Sequence, residues 1–431
     1  MNDIRENWSG SVKFQPQNYS YPITEEEICA LVKLARMSGR KIRMVGAGHS
    51  FTPLAQPTDI LVSLDKMQGL ISADKSSMRA TVWAGTRLKA LGEILHAEGM
   101  AMENLGDIDV QAIAGAMSTG THGTGTRFGT LATQLRGITF VDGTGELRTL
   151  KAESDADLFP ALQISLGSCG IITRLEIQTV PAYKLQYVAK KSTLDHVLAN
   201  LESYKSQNRN FEFYWFPYTQ TVQTKESNET SENPTPRGVG KWLNDIVLEN
   251  GVFSVLSGIS KNIPGTSAAM SKLSAAGVSS GKDINWSHRV YATPRLVKFQ
   301  EMEYNIPQEH FSEAIRRLDA VIRQRKFKVH FPMECRWVAP DNIYLSPAYQ
   351  RESAYIAVHM YKGMPHQEYF EAMEEILQSY GGRPHWGKMH TMRSNQLKKV
   401  YPMWDKFQEI RRQMDPDGVF LNPYLTELFG A

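Results

Sequence analysis

The sequence predicts an α+β protein of two or three domains, and three observations carry that prediction. Short amphipathic helical stretches alternate with short β-type runs through the first 180 or so residues. Beyond Pro181 the mixture recurs with longer, cleanly alternating strands. The length, 431 residues, exceeds one ordinary domain. Composition agrees: 42% hydrophobic and 22% charged residues are enough for substantial cores and exclude collagen-like and disordered classes. The 48 basic and 45 acidic residues leave a net charge of +3 with no basic block, so nucleic acid is not an expected partner.

Thr24-Glu25-Glu26-Glu27 is a capping-box pattern, and Ile28, Leu31, Val32 and Ala35 recur at helical spacing until Gly39 ends the run. A β-type run over 41–45 leads into the turn Gly46-Ala47-Gly48-His49-Ser50, and further strands are predicted at 60–64 and 78–83. Leu91, Ile94 and Leu95 mark a second helix over 88–97, followed by a small-residue segment, 114–125. Asp142-Gly143 sits in a strand pair spanning 138–150, and 170–180 reads as the closing strand of this half. In the second half, aromatics at 211–218 predict a strand, the polar stretch 226–240 a loop, and then strand 297–304, helix 308–326, strands 327–338 and 354–362, and helix 367–380. That order predicts an antiparallel sheet covered by helices.

Cys29, Cys169 and Cys335 are odd in number and widely spaced, which argues against a disulfide framework and a structural zinc site. With no secretory or transit pattern at the N-terminus and no apolar run of ~20 residues, the expectation is a soluble, cytoplasmic protein. Asn228-Glu229-Thr230 matches a glycosylation triplet by chance on that view.

Chemistry concentrates in four places. Val45-Gly46-Ala47-Gly48 after a strand suggests a dinucleotide site, yet the third glycine is absent, and Pro53 and Pro57 prevent the long helix that would face a pyrophosphate. A nest of backbone N–H donors for an anion fits better. The segment 114–125 adds Ser118, Thr119, Thr121 and Thr124 among four glycines, which suits close approach of a large, flat, phosphorylated cofactor; a tight helix-to-sheet turn is the competing identity. In Phe327–Trp337, odd positions are apolar while His330, Glu334 and Arg336 share the other face, and Tyr355, Ala357, His359 and Tyr361 align likewise in the next strand. If the strands are neighbours, these faces make a polar floor able to bind a polyhydroxylated substrate, although a bare Glu-x-Arg on a strand is more often a solvated ion pair. Arg383-Pro-His385-Trp-Gly-Lys388-Met-His390 packs cations and histidines together, but without an acidic or thiol companion no metal is expected.

In combination, Val-Gly-Ala-Gly-His-Ser (45–50), Ser-Thr-Gly-Thr-His-Gly-Thr-Gly (118–125), Ser-Leu-Gly-Ser-Cys-Gly-Ile-Ile (165–172), Glu-Cys-Arg (334–336), Leu-Ser-Pro-Ala-Tyr (345–349), Arg-Pro-His-Trp-Gly-Lys-Met-His (383–390) and Asp-Pro-Asp-Gly-Val-Phe-Leu-Asn (415–422) resemble the aldonolactone oxidoreductases. These are the gulono-, galactono- and arabinono-1,4-lactone oxidases and dehydrogenases of the vanillyl-alcohol-oxidase superfamily, and the resemblance spans essentially the whole chain. It implies a two-subdomain PCMH-type FAD-binding domain over 1–182, an α+β substrate-binding cap over 183–385, and a segment 386–431 that returns to the first domain. It implies FAD, contacted by Gly46, Ala47, Gly48, Ser50, Gly106, Ser118, Gly120, Thr121, Gly123 and Ile172, and bound covalently through His49. It assigns Glu334, Arg336 and Lys388 to catalysis: the two cations stabilise a developing alkoxide, and Glu334 holds or deprotonates substrate hydroxyls. Tyr361, His359 and His390 are expected substrate contacts, and Met360-Tyr361 with His390 favours a lactone over an open-chain alditol. Gly106 leaves a path for oxygen to the flavin, so O2 with peroxide release is the first expected acceptor, ahead of a cytochrome or other carrier. The competing identities are an alditol oxidase, a nicotinamide dehydrogenase and a non-catalytic flavin-binding protein.

Overall fold

The structure, a computed structural model, describes residues 5–236, 249–292 and 296–430. Helix α1 (Glu25–Met37) is capped as its sequence predicts, with the Thr24 hydroxyl accepting the Glu27 N–H at 3.2 Å, and buries Ile28, Val32 and Ala35. It connects β1 (Asn18–Ser20) to β2 (Ile42–Met44), which with β3 (Ile60–Val62) form a parallel sheet in the order β1-β3-β2. A short 3-10 turn, Pro53–Ala55, is all that follows the glycine turn, so no pyrophosphate-facing helix forms there. The five antiparallel strands β4 (Leu70–Asp74), β5 (Arg79–Trp83), β6 (Leu135–Val141), β7 (Leu147–Lys151) and β8 (Ile171–Gln178) make the second sheet of this half. Their order is β7-β6-β8-β5-β4, so the predicted closing strand lies in the middle of the sheet. Alternation over 171–178 shows one buried face but cannot show how many neighbours a strand has. Helices α2 (Leu88–Ala97) and α3 (Ile113–Ser118) lead to the small-residue loop.

The second half is one eight-stranded antiparallel sheet. Its strands are β9 (Lys184–Thr193), β10 (Asn210–Trp215), β11 (Thr221–Glu229), β12 (Gly281–Trp286), β13 (Phe299–Pro307), β14 (Met333–Val338), β15 (Ser353–Tyr361) and β16 (Arg383–Pro384). They run in the order β12-β9-β11-β10-β14-β15-β13-β16. One face carries Phe213, Cys335, Trp337, Ile356, Val358 and Met302 into the main core. The helices of this half include α4 (Glu249–Asn262), α5 (Phe311–Arg325) and α6 (Gln367–Ser379), and Phe311, Ile315 and Leu318 of α5 belong to the same core. Thus the predicted sheet with helical cover is present, and β14 and β15 are neighbours in the register Glu334↔Ala357 and Arg336↔Tyr355.

Two elements differ from the sequence reading. The predicted loop at 226–240 begins as strand, because 226–229 complete β11 against β9 and β10; 237–240 lie outside the described residues. The strand predicted over 327–338 starts only at Met333: Pro332 has no N–H to donate, and His330 leaves the floor for a buried contact with Ser257 of α4 at 2.9 Å. The C-terminal segment returns to the first half, where Ile42 N–H bonds to Val419 O at 2.8 Å and Asn422 Nδ2 donates to Pro53 O and Gln56 O.

Candidate active site

A cavity of about 320 Å³ opens between the parallel sheet, the glycine turn and helix α3. Gly46, Ala47, Gly48, His49, Ser50, Ser118 and Ile172 line it, as expected of cofactor contacts. Gly48 takes φ +68°, a left-handed conformation that glycine adopts without strain, and a Cβ at Gly46 would press on Ala112 Cβ at 3.0 Å. The size suits an organic cofactor, and the bare glycine wall is what close backbone approach to a phosphorylated group requires. FAD therefore fits.

The remaining four expected contacts lie one layer further in. Gly106 and Gly123 pack two loops against each other: a Cβ on Gly106 would meet His122 O at 3.2 Å, and one on Gly123 would collide with Leu105 O. Thr121 accepts a bond from the cavity residue Gln111 at 3.3 Å, and Gly120 lies under Ile164 and Pro347. Sequence reasoning missed Arg43, whose guanidinium is buried in the cavity wall and donates to the carbonyls of Leu54, Leu166, Gly167 and Phe420 at 2.7–2.9 Å. Burial lowers its pKa to about 10, against the opposing charge of Asp415. It also missed Trp8, which stacks on His49 with centroids 5.3 Å apart. Burial, then the charges of Lys388 and Arg87, push His49 down to about 4, so the imidazole is neutral and its ring nitrogens retain a lone pair. Trp8 also meets Phe299 of β13 with centroids 5.2 Å apart, so this end of the cavity adjoins the floor of the second half.

The floor is built by strand register. Pairings Glu212↔Arg336 and Tyr214↔Glu334 join β10 to β14, and Glu303↔Ala357 and Glu301↔His359 join β13 to β15, so all these side chains except Ala357 present polar groups to one face. Arg336 donates to Glu334 and, through Nε, to Glu212 at 2.8 Å, and its Nη2 lies 3.2 Å from Asp107 of the FAD-side loop. Tyr214 also donates to Glu334, and Lys225 lies 3.5 Å from Glu212. Burial opposes the charge on Arg336, but Glu334 and Glu212 hold it firmly protonated. Asp107, uninterpreted in the sequence, is thus a third carboxylate on this guanidinium.

Strand β13 supplies two carboxylates that the sequence reading did not single out, Glu301 and Glu303. Lys388 bonds to Glu301, whose other oxygen lies 3.5 Å from His359 Nε2. Burial works against the carboxylate, yet the charge of Lys388 holds Glu301 down at about 2. One step along β13, Glu303 lies 3.3 Å from His122 Nε2, with His385 close by. The ligand atoms of His122, Glu303 and His385 lie within 4.8 Å of one another, so the tertiary structure supplies the acidic companion whose absence argued against a metal. The donor chemistry still opposes a cation: His385 Nδ1 accepts the Gly387 N–H at 3.0 Å, which commits a neutral ring to carry its hydrogen on Nε2. Burial lowers His385 to about 3, which keeps it neutral.

Of the expected site residues, Glu334, Arg336 and His359 stand on one face, and Lys388 reaches that face from the loop after β16. Tyr361 continues the strand but stacks on Phe331 at 6.3 Å. His390 is not brought to the floor; its Nε2 lies 3.2 Å from Tyr424 OH, and burial lowers it to about 4. The floor is not the cationic pocket that the two expected cations suggested, since Arg336 and Lys388 are each engaged by carboxylates.

A glycine-lined cavity for a phosphorylated cofactor, adjoining a buried floor of paired acids, cations and imidazoles, defines an FAD-dependent oxidoreductase. Comparison with known proteins makes this specific. Residues 16–151 match the FAD binding domain family, and residues 175–428 match the D-arabinono-1,4-lactone oxidase family. L-gulono-1,4-lactone dehydrogenase of Mycobacterium tuberculosis is 36% identical over 430 residues, covering 100% of both chains. L-gulonolactone oxidase of Bos taurus is 32% identical over 431 residues, covering 98% of each. The fold is similar to that of cholesterol oxidase from Brevibacterium sterolicum, with a TM-score of 0.84 at 18% identity, covering 100% of this chain and 97% of that one. The chain belongs to the D-arabinono-1,4-lactone oxidase family of aldonolactone oxidoreductases, flavoenzymes that act on CH–OH groups, and its first half is a PCMH-type FAD-binding fold. Among the described residues no helix is long and apolar enough to cross a membrane.

Proposed function

We propose that this protein oxidises a sugar 1,4-lactone of the L-gulono-, L-galactono- or D-arabinono- type. The observation that carries the reading is the floor: Glu334, Arg336 and Lys388 meet within one buried polar face beside the glycine-lined cavity. Carboxylates accept from a sugar's hydroxyls, while the guanidinium and ammonium donate to its carbonyl and to an oxygen that is losing its proton. FAD held by the cavity of Gly46, Gly48, His49 and Ser118 would supply a two-electron acceptor for the hydride of the carbinol carbon. Arg336 and Lys388 stabilise the developing alkoxide, and Glu334, held by Tyr214 and Arg336, fixes substrate hydroxyls.

His49, neutral at the mouth of this floor, is the attachment point of a covalent flavin link. Electrons leave to O2, giving hydrogen peroxide, or to a cytochrome or other carrier. Domains over 1–182, 183–385 and 386–431 accord with the return of the C-terminal segment to β2. A cytoplasmic location accords with three free cysteines. The test is anaerobic bleaching of the flavin absorbance by a lactone panel and by xylitol, followed by reoxidation with oxygen or cytochrome c. Bleaching by lactones supports the reading; a response to xylitol alone makes the protein an alditol oxidase, and no response to either leaves a flavin-binding protein without this activity.

A further inference from the structure

The reaction above requires a group to take the hydroxyl proton, and the floor contains several imidazoles of which the geometry favours one. Five histidines lie on or near the site. His49 stacks under Trp8 in the cofactor cavity, at the position assigned to the flavin. His385 has its Nδ1 lone pair occupied by the Gly387 N–H, so as a neutral ring it has no lone pair to offer. His122 is sealed, with its side chain 2% exposed and its ring stacked on the fully buried Tyr355 at 3.7 Å. His390 faces Tyr424 in the C-terminal segment.

His359 differs from all four. The register Glu334↔Ala357, carried two residues past the end of the ladder, sets Pro332 opposite His359. The Pro332 carbonyl, released from strand pairing, lies 2.9 Å from His359 Nδ1, so that nitrogen carries the hydrogen and Nε2 keeps the lone pair. Nε2 lies 3.5 Å from Glu301 Oε1, longer than a closed hydrogen bond. Two acceptors therefore stand side by side, and a substrate O–H can donate its one hydrogen to Nε2. The ring also stands edge-on to Phe299 at 5.0 Å, and Phe299 meets Trp8 at 5.2 Å, which places His359 two rings from His49.

We infer that His359 is the catalytic proton acceptor of this enzyme, with Glu301 as the positioning residue and Lys388 holding Glu301. This rests on the lactone-oxidising reading given above. The substrate's O–H bond breaks and its proton goes to His359 Nε2; the C–H bond breaks and its hydrogen leaves with the electron pair to the flavin oxidant; the carbinol becomes a carbonyl. The proton then passes from His359 to solvent. The charged and titratable groups facing His359 are Glu301, directly, and Lys388 and Glu303 beyond it. With a proton already between Nε2 and Glu301 the pair is an ion pair and cannot accept, so the rate acquires an acidic limb.

The experiment compares wild type, H359Q, H359A and E301Q as flavin-loaded proteins, by anaerobic stopped-flow bleaching with the lactone that wild type uses. The expected result is a bleaching rate constant 10²- to 10⁴-fold lower in H359Q, the range for loss of a general base. Flavin content and the lactone saturation constant stay within about threefold of wild type on the same argument, because binding and chemistry are separated. The acidic limb disappears in H359Q, added imidazole restores part of the rate in H359A, and E301Q keeps a limb at a displaced pH. As a readout independent of turnover, 15N-histidine spectra of the wild type show an Nδ1–H signal that is missing in H359Q, while that of His122, bonded to Gly123 O, remains. Near-normal bleaching by H359Q with the limb intact, or the loss in H359Q of an Nε2–H signal in place of an Nδ1–H signal, overturns the inference alone. If H359Q does not hold flavin, an E301Q profile superimposable on wild type overturns it instead. A wild type that no lactone or polyol bleaches overturns the functional reading, and this inference with it.

Discussion

Replacing Lys388 by methionine removes the one ammonium bonded to the buried Glu301 carboxylate while keeping most of the side-chain volume. Holding Glu301 at about 2 instead of its ordinary 4.5 corresponds to about 3 kcal/mol of favourable interaction, at about 1.4 kcal/mol per factor of ten. Because the folded-state value is depressed, that contribution is fully present above pH 4.5 and is lost as pH falls toward 2. Lys388→Met should therefore destabilise the protein by about 3 kcal/mol at pH 7, within the 3–5 kcal/mol typical of a broken buried pair. The deficit should shrink as pH falls through 4.5. Urea denaturation of the flavin-loaded protein at pH 7, 4.5 and 3, followed by tryptophan fluorescence, measures it. Adding Glu301→Gln should restore part of the loss, since the uncompensated charge is gone. A deficit that is the same at every pH, or a double variant no better than Lys388→Met, would refute the electrostatic account. In the same preparations turnover should drop sharply with FAD retained; near-normal turnover removes Lys388 from the mechanism.

Three further outcomes follow from particular contacts. Arg43→Met removes the shared donor of the Leu54, Leu166, Gly167 and Phe420 carbonyls, so a loss of roughly 3 kcal/mol and a lower FAD content are expected, read by thermal melting and by the ratio of flavin to protein absorbance. His49→Ala should release yellow flavin into the supernatant on acid precipitation, whereas wild-type flavin should stay with the pellet; release from both would exclude the covalent link. Burial raises Asp341 to about 6 despite bonds from Ser346 and Ile343, so folding binds a proton there and wild-type stability should fall as pH rises from about 4 to about 6. Asp341→Asn should flatten that slope in urea titrations, and an unchanged slope would assign it to other groups.

The sequence by itself determined the local elements and the motifs. Helical spacing ended by Gly39 marks α1, Asp142-Gly143 marks the turn between β6 and β7, and alternation in 333–338 and 353–361 sets Glu334, Arg336 and His359 on one face, because period and turn chemistry are properties of neighbouring residues. The glycine turn and His49 were legible for the same reason, and the motif order pointed to the family that the comparisons support. Tertiary structure alone decided the rest. Glu301 and Glu303 are ordinary charged residues of a predicted strand until β13 pairs with β15 and opposes them to His359 and Ala357. Asp107 becomes a partner of Arg336, and Glu303 a partner of His122, only when loops from the first half close over the sheet of the second. Such contacts join residues more than 180 positions apart in the chain, and no local pattern records them; the neighbouring charges met there, outweighing burial, then fix which of these groups keep a proton and which give it up.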